Sequence, residues 1–217
     1  MTDFNALRTA MVDCQVRPSD VTKFPIIDTM LKVRREVFVP RSMRDVAYAG
    51  AHIALGKNRV VLDPRVMAKM LDALDVTPAD LVLLIGGDLG YLTAVVAHMA
   101  EAVIAVEEDE AMAAEAEENL SAEAVDNAVI VTGALVKGAA KHGPYDAILF
   151  GGAVEQIPQA VLDQLKENGR ICALFADGAM GQCRIGFKTG ARVAWRNVFD
   201  AVAPVLPGFM NKPEFVL

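Results

Sequence analysis

Cysteine is scarce, basic runs are missing, and no apolar stretch reaches bilayer length. Each absence removes a class of function. Cys14, Cys172 and Cys183 are odd in number, widely spaced and not accompanied by further cysteine or histidine. That excludes a disulfide framework and a zinc site, and reduced thiols in a cytoplasmic protein are expected. His52, His98 and His142 share no metal-ligand spacing, so no metal is expected. Against 21 Lys+Arg stand 28 Asp+Glu, a net charge of −7 with no local Lys/Arg run. Such a surface repels phosphate backbones, and nucleic acid is not an expected partner. The N-terminal MTDFNALRTAMVDCQ has neither a basic n-region nor an apolar h-region, and nowhere do 18 apolar residues run uninterrupted. Export and membrane spanning are not expected.

What is present is a globular composition, 53% hydrophobic with 23% charged residues, enough for a large core and a solvated surface. One domain over residues 1–217 is expected, because α/β folds of this size commonly keep one core. Residues 1–75 read as short amphipathic helices interrupted by Pro18, Pro25, Pro40 and Pro64, a helical cap. Residues 76–217 read as the core. From Leu81 onward LVLLIG, AVIAV, AVIVT, DAILFG and RICALFA are short, continuously apolar runs, the mark of strands buried on both faces. Helix-like stretches at 90–100, 109–123 and 158–167 alternate with them. The alternation predicts an α/β, Rossmann-like, doubly wound and mostly parallel sheet. CRIGFK and RVAWRNVFD, flanking Thr189-Gly190, read as a C-terminal β-hairpin. Trp195 within it is read as a packing aromatic. The acidic stretch Glu107 to Glu118 reads as a helix with a solvated face.

A ligand of such a sheet sits beyond the carboxyl ends of its central strands, which directs attention to residues 81–97. Gly86, Gly87 and Gly90 allow backbone to approach a ligand at a helix N-terminus. Glu107, about 20 residues further on, is placed to accept hydrogen bonds from ribose hydroxyls. The dinucleotide pattern G-x-G-x-x-G fails at Asp88 and Tyr91, which disfavours NAD. The looser G-x-G-x-G turn is missed only at Asp88. A bare strand-to-helix turn, with Glu107 as a helix-terminal charge, is the competing reading. Gly151-Gly152 lies at the same sheet edge, as part of the pocket or as a plain turn.

Several segments together resemble the protein-L-isoaspartate O-methyltransferases, class I enzymes that use S-adenosylmethionine. They are MVDCQVRPSDV, MLKVRREVFVP, VAYAGAHIALG, the 81–97 turn, VIAVEED, PYDAILFGGAVEQIPQAVLDQLKENGRI and the tail PGFMNKPEFVL. The resemblance implies an S-adenosylmethionine site at Gly86, Gly87, Asp88, Gly90, Tyr91, Glu107, Glu108, Gly133 and Ala134. It implies methyl transfer to isoaspartyl carboxylates of damaged protein or peptide in the cytoplasm. The chain departs from the family at four places. Leu84 stands where an acid is usual, Asp88 where glycine is usual, and Gly133-Ala134 where Gly-Asp is usual. Leu62-Asp63-Pro64 replaces a Ser-x-Pro whose hydroxyl lies near the transferred methyl. Asp88 has two readings, compensation for the charge missing at Leu84 or blockage of the pocket by a side chain. Asp63 reads foremost as the N-cap of a helix opened by Pro64, and a charge there disfavours a carboxylate acceptor if it faces the pocket. The four departures also support a catalytically silent relative acting as a ligand- or protein-binding module, and Leu62 and Asp63 support a different acceptor. The oligomeric state is not legible.

Overall fold

The computed structural model describes residues 2–211. Seven strands form one sheet: β3 (Leu81–Ile85), β4 (Ala102–Glu107), β5 (Ala128–Thr132), β6 (Tyr145–Val154), β7 (Leu165–Asp177), β8 (Met180–Thr189) and β9 (Arg192–Asp200). Their spatial order is β5-β4-β3-β6-β7-β8-β9. The first four junctions are parallel and the last two antiparallel, so the C-terminal hairpin extends the sheet from β7. Order along the chain reverses between β3 and β6, and this switch point is where open α/β sheets place their ligands.

The central parallel strands β3 and β4 are nearly continuous in apolar residues because both faces are covered. Val82, Leu84, Val103 and Ala105 join one buried cluster, and Leu83, Ile85, Ile104 and Val106 join another. The crossover helices are α4 (Tyr91–Ala97), α5 (Glu110–Ala122) and α6 (Gln159–Leu162). The third helix is shorter than its sequence suggests, since the chain re-enters the sheet at Leu165.

Over the first cluster lie α1 (Phe4–Met11), α2 (Phe24–Lys32) and α3 (Pro64–Leu74), joined by π and 3₁₀ turns. Arg35 is fully buried among them. It donates to the carbonyls of Ala47 (2.6 Å) and Leu62 (2.8 Å), and its guanidinium lies 4.7 Å from the centre of the Tyr91 ring. The VRREVFVP segment is thus a structural clamp between the cap and helix α4.

One element departs from the all-helical reading of residues 1–75. Ile53–Gly56 (β1) and Arg59–Val61 (β2) pair as an antiparallel hairpin separate from the main sheet. Lys57 and Asn58 both take left-handed backbone, φ 51 and 59, as a two-residue hairpin turn of the primed type requires. The strands have four and three residues, too few for alternation to register against the flanking helices.

Cys172 and Cys183 lie on adjacent strands with their sulfurs 3.5 Å apart, both free and fully buried. Their mutual hydrogen bond and burial push the Cys172 thiol well above its usual range, so it stays protonated. No metal-binding cluster and no helix long and apolar enough to cross a membrane occur among the described residues.

Candidate active site

The turn after β3 folds as its glycines require. Gly86 and Gly90 have φ of 86 and 97, and Asp88, also left-handed at φ 48, holds the middle. Aspartate tolerates that conformation better than most residues. Gly151, at the end of β6, is constrained differently: a side chain there would run into the Gly86 carbonyl and approach the Asp88 carboxylate to 3.3 Å.

Glu107 closes β4 beside this turn and is fully buried. Its carboxylate accepts from the Asp88 amide (2.9 Å) and the Asp109 amide (3.1 Å). It also accepts both arms of the Arg59 guanidinium, at 2.7 and 2.5 Å. A carboxylate offers about four acceptor positions, and here all are used. Arg59 reaches across from β2 and donates as well to Asp88, at 2.6 Å. Its residue surface is 3% exposed, and it stands 3.2 Å from the position a side-chain carbon on Gly86 would take.

The electrostatics follow from this packing. Burial opposes the Arg59 charge, but Asp88 and Glu107 outweigh it and its pKa is raised. Burial drives Asp88 the other way, up to about 7; Arg59 opposes the rise and Glu107 adds to it. The three side chains carry at most one net negative charge when all are ionised.

The other anticipated residues divide into two groups. Glu108, Gly133 and Ala134 line an open cleft of about 570 Å3 together with Lys57, Arg59, Asp109, Glu110, Met112, Thr132 and Pro207. Tyr91 does not join them: its side chain is buried in the core, 5.9 Å from the Phe38 ring centre and under Arg35. Gly87 is packed against Ala105, Glu107 and Ile130. Leu84 is fully buried in the apolar cluster that holds Val60 and Leu62. Asp63 is the N-cap of α3, its Oδ1 accepting from the amides of Arg65 (2.7 Å) and Val66 (3.2 Å). His52 braces it: Nδ1 accepts from the Asp63 amide (2.8 Å), which leaves Nε2–H to donate to the Val202 carbonyl (2.8 Å). His98 caps the end of α4.

Two features were not legible in sequence. Arg59 lies 48 residues from Glu107, and only the hairpin brings them together. The segment after β9 crosses the end of β6, where Ala153 and Leu206 exchange backbone bonds with their surroundings, and Leu206 packs onto Gly86 and Gly152. Its tail beyond Asn211 lies outside the described residues.

These contacts decide whether an adenosyl cofactor fits. The outer cleft beside Glu108, Met112, Gly133 and Ala134 has room for a planar base. At its inner wall Arg59 and the Asp88 and Asp109 amides together fill the Glu107 acceptor positions that ribose hydroxyls would use, and Leu206 covers Gly86. In this arrangement a ribose would find no free acceptor on Glu107.

Comparison with known proteins places this geometry. The family described as Protein-L-isoaspartate(D-aspartate) O-methyltransferase (PCMT) matches residues 8–182. A protein-L-isoaspartate O-methyltransferase of Pelotomaculum thermopropionicum is 31% identical over 170 residues, 78% of this chain and 74% of its own. One of Gloeobacter violaceus is 36% identical over 161 residues, 74% and 78% respectively. A solved protein-L-isoaspartate O-methyltransferase superposes with a TM-score of 0.79 at 21% identity, covering 94% of this chain and 65% of that one. A Plasmodium falciparum structure so described, in complex with S-adenosyl-L-homocysteine, gives 0.77 at 18% identity, covering 95% and 99%. The fold is therefore that of these enzymes, and the chain belongs to the protein-L-isoaspartate(D-aspartate) O-methyltransferase family.

Proposed function

We propose that this chain is an S-adenosylmethionine-dependent methyltransferase acting on isoaspartyl carboxylates of damaged protein or peptide in the cytoplasm, built as one domain whose residues 1–75 form a cap. The observation that carries the reading is the family match over residues 8–182, which spans the glycine turn, Glu107 and every residue of the cleft lining except Pro207. Gly86, Gly87, Asp88, Gly90, Glu107, Glu108, Gly133 and Ala134 are the residues assigned to the cofactor. S-adenosylmethionine would supply an activated methyl group. An acceptor carboxylate is already a nucleophile at neutral pH, so transfer to it rests on alignment at close approach rather than on a protein base. This suits a site where Asp63 spends its carboxylate on a helix cap and offers no hydroxyl.

The saturated Glu107 favours a second reading, a catalytically silent relative that keeps the fold as a ligand- or protein-binding module. Incubation with an isoaspartyl peptide and methyl-labelled S-adenosylmethionine separates the two. Labelled methyl ester on the peptide is the expected result. Its absence from the parent and from variants with the site opened would overturn methyl transfer to this acceptor.

A further inference from the structure

Arg59 is the feature that the family reading does not absorb. It is buried, aimed at the strand end, and donates to both carboxylates of the site. Its Nε finds no partner among the described residues, so the guanidinium is placed by its two arms and not by a complete set of bonds. It arrives on a two-stranded hairpin outside the main sheet, tied to the mouth of the cleft by Lys57 Nζ on Asp109 at 2.5 Å. Asp88 explains itself in this light. The residue that stands in place of the usual glycine is a buried partner for Arg59.

Building on the cofactor reading above, we propose that Arg59 is an internal occupant of the adenosyl site. It is a side-chain cation that holds Glu107 and Asp88 and excludes the ribose of S-adenosylmethionine until the β1–β2 hairpin lifts. The chemistry is competition for the same acceptors. A guanidinium fork and a pair of vicinal hydroxyls both satisfy a carboxylate through two donors, and the fork, being charged and tethered, wins at rest. The cationic ligand also meets a weaker field while Arg59 is in place, because the guanidinium cancels one of two carboxylates.

The test is calorimetric titration of S-adenosylhomocysteine into the parent, Arg59→Met and the charge-balanced Arg59→Met/Asp88→Asn, with a melting curve for each. The double variant covers the case in which the single one fails to fold with two buried carboxylates facing each other. Binding at least 10-fold tighter in a folded Arg59 variant than in the parent is expected. Equal dissociation constants would overturn the proposal and leave the cofactor reading standing. Weaker binding in the variants would make Arg59 a ligand contact and also overturn it. No binding by any folded variant would overturn both.

Discussion

Asp88 shows how a single side chain acquires its properties from its neighbours. In the unfolded chain its carboxyl ionises near the ordinary 3.8, and in the folded protein it is held up to about 7, chiefly by burial. Between those values the folded state binds the extra proton, so stability is greatest at the acid side of the window and falls as pH rises from about 4 to about 7. Asp88→Asn removes that titration, and its stability should change less across this range, as denaturant melts at pH 4.5, 6 and 7.5 would show. A parent with a flat profile over the same range would place Asp88 in a more polar setting than its contacts indicate. Arg59→Met alone leaves Glu107 and Asp88 buried without a cation and should cost about 3–5 kcal/mol, whereas adding Asp88→Asn should recover much of the loss. Two readings of Asp88, compensation for Leu84 and blockage of the pocket, were open from sequence. The structure holds a third arrangement, an ion pair, because the partner comes from a hairpin that the sequence did not reveal. Glu107 and the glycines were legible, since a strand-end acid and a strand-to-helix turn are local patterns. Glu107's engagement with Arg59 was not, because it depends on contact over 48 residues of chain.

At the scale of elements, legibility followed burial. The central strands β3 and β4 are legible because both faces are covered and no polar residue is needed along them before Glu107. The β1–β2 hairpin, six paired residues with a turn of Lys57 and Asn58, carries too short a pattern to be distinguished from the helices around it. Asp63 sits between these cases, since an aspartate before a proline is a local signal and the cap it predicts is present. Asp63→Ala should therefore cost about 1 kcal/mol, lowering the melting temperature by about 2–4 °C for a chain of this size, with S-adenosylhomocysteine binding unchanged. A fall in affinity at constant melting temperature would instead put Asp63 in the pocket. Gly151 answers to a stricter constraint, because any side chain there meets the Gly86 carbonyl. Gly151→Ala should lose about 1–3 kcal/mol and displace the glycine turn at 86–90, visible as a lowered melting temperature.

For the whole molecule the question is how a closed site and a cofactor coexist. If the closed arrangement outweighs the open one by about 100 to 1, the apparent affinity falls by the same factor, about 2.7 kcal/mol, however well the open site is formed. Opening must break the Arg59 bonds to Glu107 and Asp88 and the Lys57 bond to Asp109, and must uncover Ile53, Val60 and Val61, which are buried in the first cluster. The β3–β6 sheet can remain as it is, since its strands hold one another through their own ladders. The hairpin cannot, because two short strands lifted from their support are marginal in water. Its flanks are still pinned, by His52 to Val202 on one side and by the Asp63 cap on the other, which confines the motion to residues 53–61. Amide hydrogen exchange therefore separates the alternatives by sign. A ligand that binds the folded state slows exchange at amides that open only by global unfolding, so saturating S-adenosylhomocysteine should protect β3 and β4. Over the same titration the amides of Ile53, Ala54, Val60 and Val61 should exchange faster than in the free protein. Uniform protection, hairpin included, would mean that the ligand enters beneath a closed hairpin, and Arg59 would then be a wall of the site and not its occupant.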